Sequence, residues 1–251
     1  MPRRLGQHFL KRRRILECIA QAACPRIEPL VIEIGAGRGE LTEHLLTRSQ
    51  RLVAIEADPE LAARLNERFA GDDRLTVLVG DVLSTDLGQW GPAVVAGNLP
   101  YYISSPILER ILALGPSLKR AAVLLQREVA ERLAARPGTR AYGLLSVRVQ
   151  LVALPEILLH APPSAFSPPP KVDSALVRLT PLAATLLEWA EQPGFLRFAA
   201  ACFRFKRKTL RNNLAPLYGP RLEGLPEASL RAEQLSVAEL IALYRALQSR
   251  P

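Results

Sequence analysis

The chain has 251 residues, 49% of them hydrophobic, which is enough to bury a full globular core and append a smaller second unit. No apolar run reaches the roughly 18 uncharged residues of a membrane helix, residues 15–23 being interrupted by Glu17, and no signal peptide is legible, so a cytoplasmic protein is expected. The three cysteines, Cys18, Cys24 and Cys202, form no C-x-x-C pair and have no histidines at ligand spacing, which argues against a disulfide framework and against zinc.

The net charge of +9 is unevenly placed. Residues 1–14 hold Arg3, Arg4, Lys11, Arg12, Arg13 and Arg14 without an acid. Residues 195–214 hold Arg197, Arg204, Lys206, Arg207, Lys208 and Arg211, again without one. Two such runs point to a polyanion as partner.

From residue 30 onward, short apolar and β-branched runs alternate with segments of helical period, the pattern of a mostly parallel sheet wrapped by helices. The runs 30–35, 51–56, 75–80, 93–97 and 121–125 are predicted as buried strands, with helices near 40–48, 59–70, 104–114 and 127–136. After Pro137-Gly138, residues 145–159 and 174–179 are expected as two further strands, joined by the proline-rich loop 161–170. Beyond Pro181 the period is helical only, in 186–191, 196–210 and 238–247. A domain boundary is therefore placed there, giving units 1–181 and 182–251.

The first strand runs into Glu33-Ile34-Gly35-Ala36-Gly37-Arg38-Gly39-Glu40, a glycine turn from strand to helix at the carboxyl edge of the sheet, where such folds bind ligands. Its G-x-G-x-G spacing is not the G-x-G-x-x-G of dinucleotide enzymes, and no Gly-Lys-Ser/Thr follows. A cofactor without phosphate fits better. Glu56 closes the second strand, 21 residues after Gly35, where a carboxylate can accept both hydrogen bonds of a ribose diol. Asp81 closes the third strand. Three such strand ends in succession resemble the class I methyltransferase fold, and that resemblance assigns the glycine loop to a methionine moiety, Glu56 to the ribose and Asp81 to an adenine amine.

The fourth strand ends in Gly97-Asn98-Leu99-Pro100-Tyr101-Tyr102. An exocyclic adenine nitrogen is a weak nucleophile because its lone pair is delocalised into the ring. If the Asn98 amide oxygen and the Leu99 carbonyl accept its two hydrogens, they favour a pyramidal nitrogen whose lone pair faces an electrophile. Tyr101 offers a face for an extruded base. Phe166, ahead of the triple proline, is either a second aromatic wall or a core plug beneath the loop. The ammonium product is acidic enough to lose its proton to water, so no general base is required.

Together these motifs resemble the small-subunit ribosomal RNA adenine dimethyltransferase family over nearly the whole chain. The resemblance is carried by Gly6-Gln7-His8-Phe9-Leu10, residues 33–42, Glu56, Gly80-Asp81 and residues 98–101. Later segments add to it: 126–133, 142–147, 166–174 and Phe203-Arg204-Phe205-Lys206-Arg207-Lys208-Thr209-Leu210-Arg211-Asn212-Asn213-Leu214, similar to a helix that characterises the family. It implies that His8, Leu10, Gly35, Gly37, Glu56, Asp81 and Asn98 line S-adenosyl-L-methionine, and that Asn98, Leu99, Tyr101 and Phe166 serve the target adenine. Arg12, Arg13, Arg204, Lys206, Arg207, Lys208 and Arg211 would grip RNA. No metal is implied, and a monomer is expected. The implied reaction is dimethylation of two neighbouring adenosines near the 3′ end of small-subunit rRNA during subunit assembly. His8 stands where many members have asparagine, and Ala36 and Arg38 replace a common proline and leucine. The competing readings are methylation of adenine in large-subunit RNA or in DNA, and a catalytically silent RNA-binding or transcription accessory factor on the same fold.

Overall fold

The computed structural model describes residues 8–249, so Arg3, Arg4, Gly6 and Gln7 lie outside the described residues. The chain forms two compact units, one of residues up to Ala130 together with Pro155–Pro181, the other of Glu131–Leu154 together with the residues from Leu182 onward.

The first unit is built on a seven-stranded sheet. Its strands are β2 (Glu28–Ile34), β3 (Ser49–Glu56), β4 (Leu75–Val79), β5 (Ala93–Asn98), β6 (Leu118–Gln126), β7 (Ala153–Ala161) and β9 (Ser174–Pro181), in the order β4-β3-β2-β5-β6-β9-β7. The pairs from β4 through β6 are parallel and β6 pairs with β9 antiparallel, so the expected mostly parallel sheet is a mixed one. The reversal comes at β9, which follows β7 through the connection 162–173 without an α-helical crossover and enters the sheet between β6 and β7. Both faces of the central strands are covered, which is why 121–125 and 93–96 are continuous apolar runs with every residue buried.

Helices α1 (Arg13–Ala23), α2 (Glu40–Leu46), α3 (Pro59–Arg68) and α4 (Ser104–Leu112) wrap the sheet, and α5 (Arg127–Leu133) follows β6 directly. Asp58 caps α3, accepting from the N–H groups of Glu60 and Leu61, with Pro59 preset for the first turn. Helix α1 packs on α2, β5 and β6 through a buried face that includes Ile15, Leu16, Ile19 and Ala20 and follows directly on the basic run 1–14. The strand order reverses between β2 and β5, and the carboxyl ends there open a crevice. At that point Gly97 is indispensable: a Cβ on it would meet the Ile34 carbonyl oxygen at 2.5 Å.

A two-stranded sheet pairs β1 (Phe9–Leu10) with β8 (Phe166–Ser167), Leu10 opposite Phe166 and Phe9 opposite Ser167. Partners across a ladder point to one face. Leu10 and Phe166 therefore go inward together, 3% and 1% exposed, into the cluster with Leu16, Ala165 and Leu176. This corrects the reading of Phe166 as an aromatic wall: it is the plug.

The second unit holds α6 (Leu144–Gln150), α7 (Gln192–Cys202), α8 (Leu210–Tyr218) and α9 (Val237–Ser249) around a core that includes Tyr142, Val147, Phe195, Phe198, Leu214 and Leu240. Three expectations change here. Residues 144–150 are helix instead of strand, because Ser146 accepts the Gly143 N–H and donates to the Arg132 carbonyl, while the Gln150 amide binds the Leu133 and Ala135 carbonyls, the groups a helix end leaves unpaired. With that helix, residues 131–154, which end on the first two residues of β7, fall in this unit, so the boundary at 181 is incomplete. Residues 186–191 are a bend and a turn and not helix, the helix beginning at Gln192 where Pro193 suits the first turn. Residues 203–209 form a loop ahead of α8 and not helix; Thr209 caps α8 by accepting from the Asn212 N–H.

Candidate active site

The ends of β2, β3, β4 and β5, with His8 and Phe9, enclose a cavity of about 400 Å³, within the range of small-molecule sites. His8, Gly35, Gly37, Glu56, Asp81, Asn98, Leu99 and Tyr101 all line it. Leu10 and Phe166 do not. Leu10 instead borders a small cavity behind the glycine loop, with Glu33, Gly35, Gly37 and Asn98. Phe9 takes the cavity-facing position of β1, a consequence of strand alternation that a motif match by itself does not reveal.

Gly37 is left-handed, with φ +58°, and a Cβ there would lie 3.2 Å from the Phe9 ring. Its N–H donates to Glu56 Oε2 at 2.7 Å, while the Asp58 N–H donates to Oε1 at 3.0 Å. The Glu56 carboxylate is thereby fixed at 5% exposure, each oxygen keeping a lone pair for a further donor. Asp81 Oδ1 accepts from the Leu83 N–H at 2.9 Å, and the Asp81 carbonyl accepts from Ser84 and Thr85, shaping the loop after β4. The guanidinium of Arg38, at one of the positions that depart from the family pattern, lies 4.2 Å from the Phe9 ring centroid, a cation–π contact over the glycine loop.

Asn98 ends β5. Its Nδ2 donates to the His8 carbonyl at 2.8 Å, which leaves Oδ1 buried and without a partner among the described residues. A buried acceptor without a donor is costly unless a ligand supplies one. Leu99, 1% exposed, is fixed through its N–H to the Leu124 carbonyl at 3.1 Å. The Tyr101 hydroxyl hydrogen-bonds the hydroxyl of fully buried Ser174. Burial pushes that phenol above its ordinary pKa, opposed by the Ser174 bond. The His8 imidazole stands 5.6 Å from the Tyr101 ring at a 30° tilt. Its Nδ1 lies 2.8 Å from the Pro168 carbonyl; a carbonyl only accepts, so Nδ1 carries the proton. The signal for Ser174 was a small polar residue opening an apolar strand, and Tyr102, exposed at the cavity, simply follows the motif residue.

Glu33, at the base of the glycine loop, is 1% exposed and accepts the Thr42 hydroxyl at 2.7 Å. Burial raises its carboxyl to about 8, with Glu56 and Glu40 adding to the shift and the Thr42 bond opposing it. A carboxyl whose folded value lies above its unfolded value of 4.5 contributes stability that is complete below that value and is lost as pH rises through about 8. Glu33→Gln keeps the acceptor for Thr42 and removes the titration. Thermal denaturation of the variant is expected to show a Tm that no longer falls between pH 5 and pH 8, with a gain over wild type at the alkaline end; parallel pH profiles would refute a buried neutral carboxyl.

Of the residues expected to grip RNA, Arg12, Arg204, Lys206, Arg207, Lys208 and Arg211 are exposed, and exposed Arg13 is paired with Glu17 at 2.8 Å. Among the described residues no group of three or more His, Cys, Asp or Glu is placed to hold a metal, and no helix is long and apolar enough to cross a membrane.

A glycine loop on the first core strand, a fixed carboxylate on the second and an amide-bearing tip on the fourth define a Rossmann-like class I methyltransferase domain, dependent on S-adenosylmethionine. Residues 2–248 match the profile of the family described as "Ribosomal RNA adenine dimethylase", and the chain belongs to that family. A "Ribosomal RNA small subunit methyltransferase A" of Acidobacterium capsulatum is 44% identical, over 98% of this chain and 91% of the relative. One of Thiobacillus denitrificans is 41% identical over 99% and 98%. Among solved structures, a dimethyladenosine transferase from Plasmodium falciparum superposes with a TM-score of 0.81 at 28% identity, covering 94% of this chain and 96% of that one. The 23S rRNA methyltransferase ErmE gives 0.75 at 28% identity, covering 96% and 100%.

Proposed function

We propose that the protein transfers methyl groups from S-adenosylmethionine to the N6 amines of two adjacent adenosines near the 3′ end of small-subunit rRNA, giving N6,N6-dimethyladenosine in an assembling subunit, and that it works as a monomer in the cytoplasm. The observation that carries the reading is the buried, orphaned Oδ1 of Asn98, a residue that lines the cavity. The names of the relatives at 44% and 41% identity favour the small-subunit target.

The residues present fit the cofactor. The Gly35–Gly37 turn leaves room for close backbone approach, the Glu56 carboxylate is held where a diol can donate to it, and Asp81 borders the far end. Bound there, S-adenosylmethionine supplies an electrophilic methyl group on a sulfonium. The chain's own work is alignment and exclusion of water. Asn98 Oδ1 and the Leu99 carbonyl accept the two amine hydrogens, and this pair is worth more as the nitrogen becomes pyramidal and its hydrogens more acidic. Tyr101, its hydroxyl anchored on Ser174, presents a ring for the extruded base to stack on.

The test is mass analysis of RNA after incubation with cofactor and undermethylated small subunits, large-subunit RNA or adenine-containing DNA. Two dimethylated adenosines in the small-subunit RNA are expected. Modification confined to another nucleic acid would move the target, and no methyl transfer to any of them would leave the silent accessory factor. Binding should also follow counterion release: raising monovalent salt from about 50 to about 200 mM is expected to weaken RNA affinity by roughly two orders of magnitude or more, as read by titration. A flat salt response would remove the basic runs from the interface.

A further inference from the structure

Within the second unit, the loop 203–209 carries an aromatic residue that neither core packing nor charge explains. Phe205 is 53% exposed and lies between Arg204 and Lys206, in a stretch from 195 to 214 with no acidic residue. Leaving a phenyl ring in water forfeits the burial that most phenylalanines obtain. The backbone nevertheless holds it there. Asn213, on α8 and only 5% exposed, accepts the Phe205 N–H at 3.0 Å and donates to the Phe205 carbonyl at 3.2 Å and the Lys208 carbonyl at 3.4 Å. The Lys208 N–H closes the same turn on the Phe205 carbonyl at 2.9 Å. The Arg204 guanidinium lies over the ring, 5.2 Å from its centroid, a cation–π contact that backs an exposed aromatic group.

We propose that Phe205, backed by Arg204 and clamped by Asn213, is a stacking platform for an unpaired nucleobase of the bound RNA. The inference rests on the RNA reading above and adds a contact that the basic residues cannot make. Cations alone hold phosphates, which paired and unpaired RNA both display. A bare aromatic face gains only from a base whose own face is uncovered, as in loops and bulges. The clamp lowers the ordering cost of binding, because the loop is already in its final form. The platform therefore gives the second unit a preference for unpaired RNA on top of its general attraction to the backbone.

The experiment measures affinity of the full chain for two probes, an RNA hairpin with a loop of unpaired adenosines and a fully paired duplex of equal length, across a salt series. Phe205→Ala is expected to weaken hairpin binding by about 5- to 150-fold, with duplex affinity, salt slope, Tm and cofactor binding unchanged; Phe205→Trp is expected to restore it. Lys206→Ala should instead weaken both probes and reduce the salt slope by about 1. Equal hairpin affinity for wild type and Phe205→Ala would overturn the platform, as would an equal loss on both probes. A loss seen on whole ribosomal subunits but not on naked RNA would overturn it in favour of a protein contact. If wild type bound neither probe in a salt-dependent way, the RNA reading itself would fall, an outcome separable from the others.

Discussion

Asn98→Ala is expected to slow methyl transfer by about 10²–10³-fold at saturating cofactor, the usual cost of removing one group aimed at developing charge. The reason lies in the division of labour within one amide. Nδ2 is committed to the His8 carbonyl at 2.8 Å, and Oδ1 is left as a buried acceptor without a partner among the described residues. Alanine removes both. Asn98→Asp separates the two roles, because it retains an acceptor and loses the donor to His8. If the acceptor dominates, the aspartate variant keeps more activity than alanine; if the tether to the N-terminal strand dominates, the two variants fall together. Single-turnover rates with saturating cofactor decide between these outcomes. An alanine variant that methylates at the wild-type rate would remove Asn98 from the chemistry altogether.

Phe166→Ala carries the largest expected effect on stability. Emptying a fully buried phenylalanine site costs about 3–5 kcal/mol, which for a chain of this size lowers Tm by roughly 6–20 °C. The contrast with a base-stacking role is sharp. A plug that is lost costs Tm while kcat at a low, still-native temperature is preserved; a lost wall costs turnover at nearly unchanged Tm. Calorimetry alongside single-turnover kinetics at about 10 °C tells the two apart. Normal melting with a large loss of rate would show that the inward face shared with Leu10 is not where this ring acts.

Much of the fold was legible because hydrophobic runs dominate a sheet covered on both faces. All five core strands lie where 30–35, 51–56, 75–80, 93–97 and 121–125 place them, each extended by a residue or more at one or both ends except β4, which stops at Val79. The cavity-lining residues at the strand tips were legible too, since Gly35, Glu56, Asp81 and Asn98 each terminate such a run. What failed has a common cause in information carried by distant partners. The alternation Val147-Arg148-Val149-Gln150 resembles a strand, yet Ser146 and Gln150 satisfy carbonyls at the end of α5 and of Ala135 just beyond it, and so fix a helix. The facing of Phe166 depends on pairing with Leu10, and two-residue strands have no periodicity to read. The Ser174–Tyr101 bond joins residues 73 positions apart, and neither residue type announces the other.

The β1–β8 ladder also has a consequence for how the molecule is made. Leu10 and Phe166 are 156 positions apart along the chain, and the Lys11 N–H waits for the Ala165 carbonyl. During synthesis, the wall formed by His8 and Phe9 cannot be set until the ribosome has delivered that late segment, long after the glycine loop and Glu56 have emerged. A nascent chain can assemble its early parallel strands, but the closed pocket is among the last features to arrive, because contacts of such high sequence separation form late.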